Sequence, residues 1–184
     1  MYWNLKDFLG WIKGDESVPK RKPFLYLLSG MVGILLIAAD QFTKWLVRES
    51  FALYETRAFI PGVLEFHYIT NEGASFGMMQ NMRWLFITVT AIVILAGLCL
   101  LAVRRIRAPL LIWATALIIS GGIGNMFDRL IFGTVTDFLH VLFVPFPYIF
   151  NVADSAVVVG AALMLLYFIM DSIKAAREKR LVTE

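Results

Sequence analysis

Three aspartates lie in one strongly apolar stretch, residues 121 to 154, together with two asparagines and an arginine. An ionised carboxylate in a bilayer costs several kcal/mol, so an acid at membrane depth is a candidate functional residue. Two carboxylates in a low-dielectric site do not both ionise easily and share one proton. One can then act as a general base for water while its protonated partner polarises a carbonyl group. The stretch therefore predicts hydrolysis of a peptide bond by paired aspartates.

Three acids are candidates for this pair: Asp128, Asp137 and Asp154. Asn125 precedes Asp128 by three residues and Asn151 precedes Asp154 by three, a spacing that places each asparagine on the same helix face as its aspartate. Arg129 follows Asp128 directly, which favours an ion-paired structural role for Asp128 and a pKa too low for a proton donor. The residues alone leave the choice among the three acids open.

The chain lacks the residue patterns that zinc-dependent and serine-dependent hydrolysis require. The chain has two histidines, no H-E-x-x-H helix for zinc and no serine in a G-x-S-x-G setting. His140 lies three residues after Asp137 and is interpreted as a solvated or hydrogen-bonded side chain. Cys99, among leucines, is interpreted as an inert packed thiol. The carboxylates are therefore the remaining candidates for catalysis.

The elements that must position these acids are membrane helices. Of the 184 residues 59% are hydrophobic, against about 45 to 50% in soluble domains. Four apolar runs approach the roughly 20 residues that a spanning helix needs. We predict a membrane all-α bundle of four transmembrane helices with a small external β-sheet cradle and a short interfacial helix. The predicted helices are 24–47, 84–103, 110–128 and 148–170, and the segments between and beside them are 1–23, 48–83, 104–109, 129–147 and 171–184.

The basic residues predict the orientation of the chain. Segments 1–22, 104–107 and 174–180 carry five, three and four of the 17 lysines and arginines. By the positive-inside rule both termini are cytoplasmic, and segments 48–83 and 129–147 lie outside, with the acids near the outer face. The net charge of +3 thus reflects topology, and no nucleic-acid partner is expected. The N-terminal segment is interpreted as a cytoplasmic extension, not a removable signal peptide.

Two other features have alternative interpretations. Asp40 and Lys44, spaced i to i+4 near the outer end of the first span, either snorkel as a helix-end pair or reach polar groups and orient the helices that carry the acids. In the external segment, Pro61 and Gly62 mark a turn and the alternation over 63–70 predicts a strand. The resulting sheet either binds an extended peptide by strand addition or merely connects two spans.

The same acids fit two other classes of protein. Intramembrane carboxylates also mark proton or cation pathways, although the acids here cluster toward one membrane face instead of along its depth. They could also serve only as ion-pair partners of Lys44 and Arg129 in a non-catalytic scaffold.

Five motifs, taken together, resemble the bacterial lipoprotein signal peptidase family, also called signal peptidase II. The resemblance covers about 24–172 and rests on Asp40-Gln-Phe-Thr-Lys44, Asn71-Glu-Gly-Ala-Ser-Phe76, Gly121-Gly-Ile-Gly-Asn125-Met-Phe-Asp128-Arg129, Val135-Thr-Asp137-Phe138 and Phe150-Asn-Val-Ala-Asp154. It implies a four-span aspartyl endopeptidase of the bacterial plasma (inner) membrane. Such an enzyme removes the signal peptide of a diacylglyceryl-prolipoprotein on the amino side of the lipidated cysteine.

The resemblance also implies roles for particular residues. The catalytic pair corresponds to Asp137 and Asp154, and no metal or organic cofactor is expected. The partners implied are the prolipoprotein and membrane lipids, and the chain is expected to be a monomer. Substrate contacts are assigned to Asn71 and Arg129, orientation of the pair to Asn125, Asp128 and Asn151, and polar support to Asp40, Lys44 and Gly73 as well.

The sequence departs from the family pattern in two places. Its N-terminal extension of about 22 residues is longer than usual, and Ser75 replaces an alanine common in the N-x-G-A-A-F motif. Neither departure falls on the expected pair.

Overall fold

The computed structural model describes residues 23–73, 82–102, 106–143 and 148–183. The N-terminal extension and Ser75 lie outside these residues. The described chain contains four long helices and one four-stranded antiparallel sheet. The helices are α1 (Pro23–Ser50), α2 (Arg83–Ala102), α3 (Pro109–Ile131) and α4 (Val152–Thr183). Each is long and apolar enough to cross a membrane, which agrees with the predicted four-helix bundle.

Helix α3 is the centre of the bundle and packs against the three other helices. In its apolar stretch 39% of the residues are buried within the protein, against 17, 6 and 11% in α1, α2 and α4. The outer helices instead expose large apolar side chains, such as Phe24, Ile92 and Leu165. Exposed apolar surface of this kind suits contact with lipid, where only structures that pair all their backbone groups can span.

Glycines allow α3 and α4 to approach each other closely. A methyl group added at Gly160 of α4 would lie 2.8 Å from the backbone oxygen of Ala114 in α3. A methyl group at Gly121 of α3 would collide with the backbone oxygen of Ala153. The spacing of this helix pair is therefore set by backbone against backbone, as small residues permit in membrane bundles.

The sheet is assembled from two separate segments that connect the helices. Its strands are β1 (Thr56–Ile60), β2 (Leu64–Asn71), β3 (Val135–Val141) and β4 (Ile149–Phe150), in the spatial order β1-β2-β3-β4. Gly62, at φ +74°, makes the turn between β1 and β2, where Pro61 and Gly62 predicted one. Strand β2 pairs with β3, so the segment after α3 returns to the segment after α1.

The structure differs from the sequence expectations at the ends of several elements. Helices α1 and α3 continue past the predicted ends at 47 and 128. The short interfacial helix is not among the described elements, and the apolar segment after α3 contains strand β3 instead. Helix α4 begins at Val152, not at 148, because Ile149 and Phe150 pair with β3 before the chain turns into the helix.

Candidate active site

Asp154 is held by the first turn of α4. Asn151 precedes the helix, and its side-chain Oδ1 accepts the backbone N–H of Asp154 at 2.9 Å. In return Asp154 Oδ2 accepts the backbone N–H of Asn151 at 3.1 Å. This reciprocal arrangement is a capping box, which satisfies two amides that the helix start would leave unpaired. The sequence analysis placed these two residues on one helix face. In the structure, Asn151 instead precedes the helix and caps it, with Asp154 as its partner.

Asp137 is held by the middle of the sheet. It lies on β3 opposite Ile69 of β2, and only 2% of its surface is exposed. Two residues further along β2, Asn71 donates its side-chain amide to Asp137 Oδ2 at 2.9 Å. The side-chain oxygen of Asn71 also accepts the backbone N–H of Gly73 at 3.0 Å. The end of β2 is thereby ordered around this carboxylate.

Asn151 connects the two carboxylates. Its side-chain amide donates to Asp137 Oδ1 at 2.6 Å, while its backbone N–H donates to Asp154 Oδ2. The other oxygen of Asp154, Oδ1, accepts the side-chain amide of Asn125 at 2.7 Å. Each of the four carboxylate oxygens thus accepts a hydrogen bond from an amide N–H. A carboxylate oxygen offers two lone pairs, so each retains capacity for a further proton or donor.

Asp137 and Asp154 line one cavity of about 180 Å³. It lies where α3 and α4 meet the sheet. The described residues that line it are Asn71, Gly73, Asn125, Arg129, Val135, Asp137, Tyr148, Ile149 and Asp154. Two of the three acids considered from the sequence are therefore brought together, and Asp128 is not among the lining residues.

Asp128 belongs to a second, fully buried cluster. Lys44 Nζ lies 2.9 Å from Asp40 Oδ2 and 3.3 Å from Asp128 Oδ2, and it donates to Asn125 Oδ1 at 2.9 Å. At most 1% of Asp40, Lys44 and Asp128 is exposed. Of the two interpretations of Asp40 and Lys44, burial excludes snorkelling to the interface, since a snorkelling side chain keeps its charged head in water.

The buried cluster also supports the backbone around the cavity. Asp40 Oδ1 accepts the backbone N–H of Ala153 at 2.8 Å, in the first turn of α4. Asp128 Oδ2 accepts the backbone N–H of Thr136 at 3.0 Å, one residue before Asp137. The cluster thus fixes the chain next to both cavity aspartates without entering the cavity.

Arg129 does not pair with Asp128, which corrects the sequence expectation. Its guanidinium donates to the backbone oxygen of Gly73 at 3.2 Å and lies 5.0 Å from the ring centre of Phe86. The cation beside Asp128 is Lys44, from a different helix. Adjacent residues on a helix do not face each other, so the guanidinium and the carboxylate diverge. Arg129 instead tethers the backbone at the end of β2 to α3.

Three supporting residues were missed by the sequence analysis. Gln41 donates its side-chain amide to Gly124 O at 3.0 Å and to Asp128 Oδ1 at 3.2 Å. Arg48 donates to the hydroxyl of Thr136 at 3.0 Å, which joins the end of α1 to the start of β3. Gln41 and Thr136 lie inside the motifs quoted above, yet their residue types carry no signal that separates them from ordinary polar positions.

The cavity favours a protonated carboxyl on the sheet. The pKa of Asp137 is raised to about 7, mainly by burial and secondly by the charge of Asp154. Hydrogen bonds from Asn71 and Asn151 oppose this shift. Among the described residues, no salt bridge joins Asp137 or Asp154 to a lysine or arginine. A pair of this kind holds one proton near neutral pH, as acid–base chemistry requires.

The fold and the site together define a multi-pass membrane protein with a cavity lined by two aspartates. A family model described as signal peptidase (SPase) II matches residues 32–170. A lipoprotein signal peptidase of Symbiobacterium thermophilum is 41% identical over 145 residues, which cover 78% of this chain and 95% of that protein. One from Streptococcus pyogenes serotype M1 is 44% identical over 136 residues, covering 72% and 87%.

Two solved structures of bacterial membrane enzymes have the same fold. One, at 2.3 Å resolution, has a TM-score of 0.75 and 25% identity, and covers 79% of this chain and 89% of that one. The other, at 1.9 Å, has a TM-score of 0.72 and 26% identity, and covers 78% and 94%. The chain belongs to the signal peptidase II family and is a multi-pass peptidase of a bacterial membrane. The family resemblance of the five motifs is thereby confirmed.

Proposed function

We propose that this chain is an aspartic endopeptidase that removes the signal peptide from diacylglyceryl-prolipoproteins on the amino side of the lipidated cysteine. Asp137 and Asp154 are the catalytic pair. The observation that carries this proposal is that both carboxylates line one cavity and that every oxygen of the two accepts an amide N–H. Membership in a peptidase family weighs against the cation pathway and the non-catalytic scaffold.

The reaction needs one proton on the pair and one water molecule. The ionised carboxylate takes a proton from water as the water oxygen attacks the scissile carbonyl carbon, and the protonated carboxyl donates its proton to the carbonyl oxygen. When the tetrahedral intermediate collapses, the C–N bond breaks and the nitrogen of the leaving amine takes a proton from the pair. The remaining hydroxyl proton returns to the other carboxylate, which restores a single shared proton.

The amide partners keep the two carboxyl groups oriented throughout this cycle. Asn151 donates from its side chain to Asp137 and from its backbone to Asp154. An amide N–H stays a donor whether the carboxyl group is charged or neutral, unlike a lysine, which would hold the group ionised. Asn71, Asn125 and Asn151 are therefore positioning residues for both protonation states of the pair.

The cavity suits a short piece of extended peptide. A volume of about 180 Å³ is below the roughly 300 to 1,000 Å³ of small-molecule pockets, so it accommodates the scissile peptide group and a water, not a whole lipid. Ile149 of β4 lines the cavity, and β4 is an outer strand of the sheet. Strand addition at β4 brings a substrate backbone past the pair.

The orientation of the chain follows from its charges. Both termini are cytoplasmic and the cavity lies near the outer face, because the basic residues concentrate in the predicted cytoplasmic segments. On this side the enzyme meets a signal peptide after its export. The chain acts as a monomer, with both aspartates of the pair supplied by one copy.

Cleavage of a purified diacylglyceryl-prolipoprotein tests the assignment of the pair. Asp137→Asn and Asp154→Asn each remove a titratable carboxyl but keep its shape, and each is expected to lower the cleavage rate at least about 100-fold. Asp171→Asn is the matched control, since Asp171 is an exposed aspartate further along α4, and it leaves the rate unchanged. Persistent cleavage by either pair variant removes that residue from the pair.

The same assay on a prolipoprotein without the diacylglyceryl group tests the substrate class. Efficient cleavage of this form contradicts the requirement for a lipidated cysteine and leaves the assignment of the pair intact. The two parts of the proposal therefore fail separately.

A further inference from the structure

The two middle strands of the sheet, β2 and β3, carry a group of metal-ligating side chains that the proposed peptidase reaction does not use. Glu65, His67 and His140 each offer one ligand atom, and these atoms all lie within 4.8 Å of one another. All three side chains are half-buried, and the cavity that contains the aspartate pair is lined by other residues. We propose that this Glu65–His67–His140 cluster binds one zinc ion.

The pairing of β2 with β3 brings the three residues to one face. Glu65 lies directly opposite His140 in the β2–β3 register. His67 follows Glu65 by two residues on β2, the spacing at which side chains project from the same face. The rings of His67 and His140 are edge to face, 5.9 Å apart between centres. The register shift of this strand pair lies between Phe66 and Ile69, the interval that contains His67.

The donor set is one that zinc prefers. Two imidazoles and a carboxylate hold zinc in sites that keep the fourth position for water or another ligand. Ligands about 2.1 Å from a tetrahedral ion are about 3.4 Å from each other. Glu65 Oε1 and His140 Nδ1 are already 2.8 Å apart, so small side-chain rotations open a gap for the ion. The ion then replaces the hydrogen bond between these two groups.

Zinc bound here ties β2 to β3. These are the strands that carry Asn71 and Asp137. The ion stabilises the pairing of the two strands and takes no part in the proposed peptidase reaction. Because Glu65 and His140 come from separate external segments, the ion joins parts of the chain that are 75 residues apart.

Calorimetric titration of zinc into the metal-stripped, full-length protein, purified without a histidine tag, tests the site. One zinc ion per chain is the expected stoichiometry. His67→Ala and His140→Ala each weaken binding more than about 100-fold, because even the loss of an outer hydrogen-bond partner weakens metal binding about 10- to 100-fold. Cys99→Ser, which removes the single cysteine, is the control and leaves zinc binding unchanged.

A second measurement works on the unaltered chain and does not depend on the folding of any variant. The chain has only two histidines, so histidine labelled with ¹⁵N gives the imidazole signals of this cluster alone. Both sets of signals shift on addition of one equivalent of zinc. Unshifted signals, or zinc binding that survives His67→Ala combined with His140→Ala, overturn the proposal. Equal prolipoprotein cleavage with and without zinc supports a structural site, and loss of cleavage in the zinc-free protein contradicts it.

Discussion

Two groups of aspartates lie next to each other in this protein and have different surroundings. Asp40 and Asp128 share the ammonium group of Lys44, at 2.9 and 3.3 Å, and are sealed from solvent. Asp137 and Asp154 line a cavity and receive neutral amide N–H groups on every oxygen. Asn125 lies between the groups, accepting from Lys44 and donating to Asp154.

The two groups of aspartates differ in the partners of their carboxyl groups, a buried cation in one and neutral amides in the other. Asp40 and Asp128 compensate the charge of a buried lysine, which would otherwise be unpaired. A carboxyl group with amide partners and little solvent can gain a proton at modest cost. Similar residues thus form a fixed group that is ion-paired around Lys44 and a titratable pair that lines the cavity. The fixed group holds the backbone at Ala153 and Thr136, beside the titratable one.

Removal of Lys44 is expected to have the largest effect on stability, because it takes the cation from the fixed group. Lys44→Met leaves Asp40 and Asp128 buried without their cation, and breaking a buried pair in this way costs about 3 to 5 kcal/mol. We expect that loss in the free energy of unfolding, measured by denaturant titration in detergent. Part of the loss returns in the triple variant Lys44→Met, Asp40→Asn, Asp128→Asn, because no uncompensated charge remains. A triple variant less stable than Lys44→Met alone shows that the charges are not the cause.

Asp128→Asn weakens the fixed group without removing its cation. Lys44 keeps Asp40 as a partner, and the asparagine oxygen can still accept the N–H of Thr136. The expected loss in unfolding free energy is about 1.5 to 3 kcal/mol, the range for a hydrogen bond to a charged group. The rate of prolipoprotein cleavage, measured per folded molecule, falls less than about tenfold, or about 1.4 kcal/mol. Complete loss of cleavage in a well-folded variant reopens the choice of catalytic acids.

Asp137 is expected to give a pH-dependent change in stability. In the folded protein its pKa is raised from 3.8 to about 7, so between these values the folded form binds more protons than the unfolded form. The contribution of Asp137 to stability therefore decreases as the pH rises from about 4 to 7 and levels off above 7. Relative to the wild type, Asp137→Asn gains roughly 2 to 3 kcal/mol between pH 5 and pH 8.

Thermal unfolding at these two pH values measures this gain. Asp171→Asn, at an exposed position of α4, is the reference for a general effect of charge removal. An equal shift for both variants shows that the pKa of Asp137 is not the source. A larger shift for Asp137→Asn supports a carboxyl group that holds its proton near neutral pH.

The four helices could be predicted because lipid leaves a long apolar segment few choices. Its backbone groups must pair within the segment, and the α-helix does this with local contacts only. Strand β3 was not predicted, since Val135 to Phe138 are all buried and show none of the alternation that marks a half-buried strand. Its partner β2 lies in another segment between helices, and such a pairing has no local sequence signal.

The sequence indicated which residue types form the site, but it did not indicate most of the contacts between them. The spacing of Asp40 and Lys44 indicates a pair within one helix, and the structure has this pair at 2.9 Å. The contacts of Lys44 with Asn125 and Asp128 depend on how α1 packs against α3, which helix periodicity does not determine. The expected pair of Asp128 and Arg129 was wrong for the same reason, because adjacency in sequence is not adjacency in space.

The i to i+4 spacing of Asp40 and Lys44 also bears on how the chain enters the membrane. Helix α1 is made before α3 and α4, and the partners that these two residues have in the finished bundle lie 81 and 113 residues downstream. A lone aspartate or lysine in an inserting helix is costly, by up to about 2.5 to 3.5 kcal/mol at the helix centre. As neighbours on one helix face, the two can cancel each other's charge during insertion. Helix α1 then crosses the translocation machinery as a nearly neutral segment, before any other span exists to receive its polar groups.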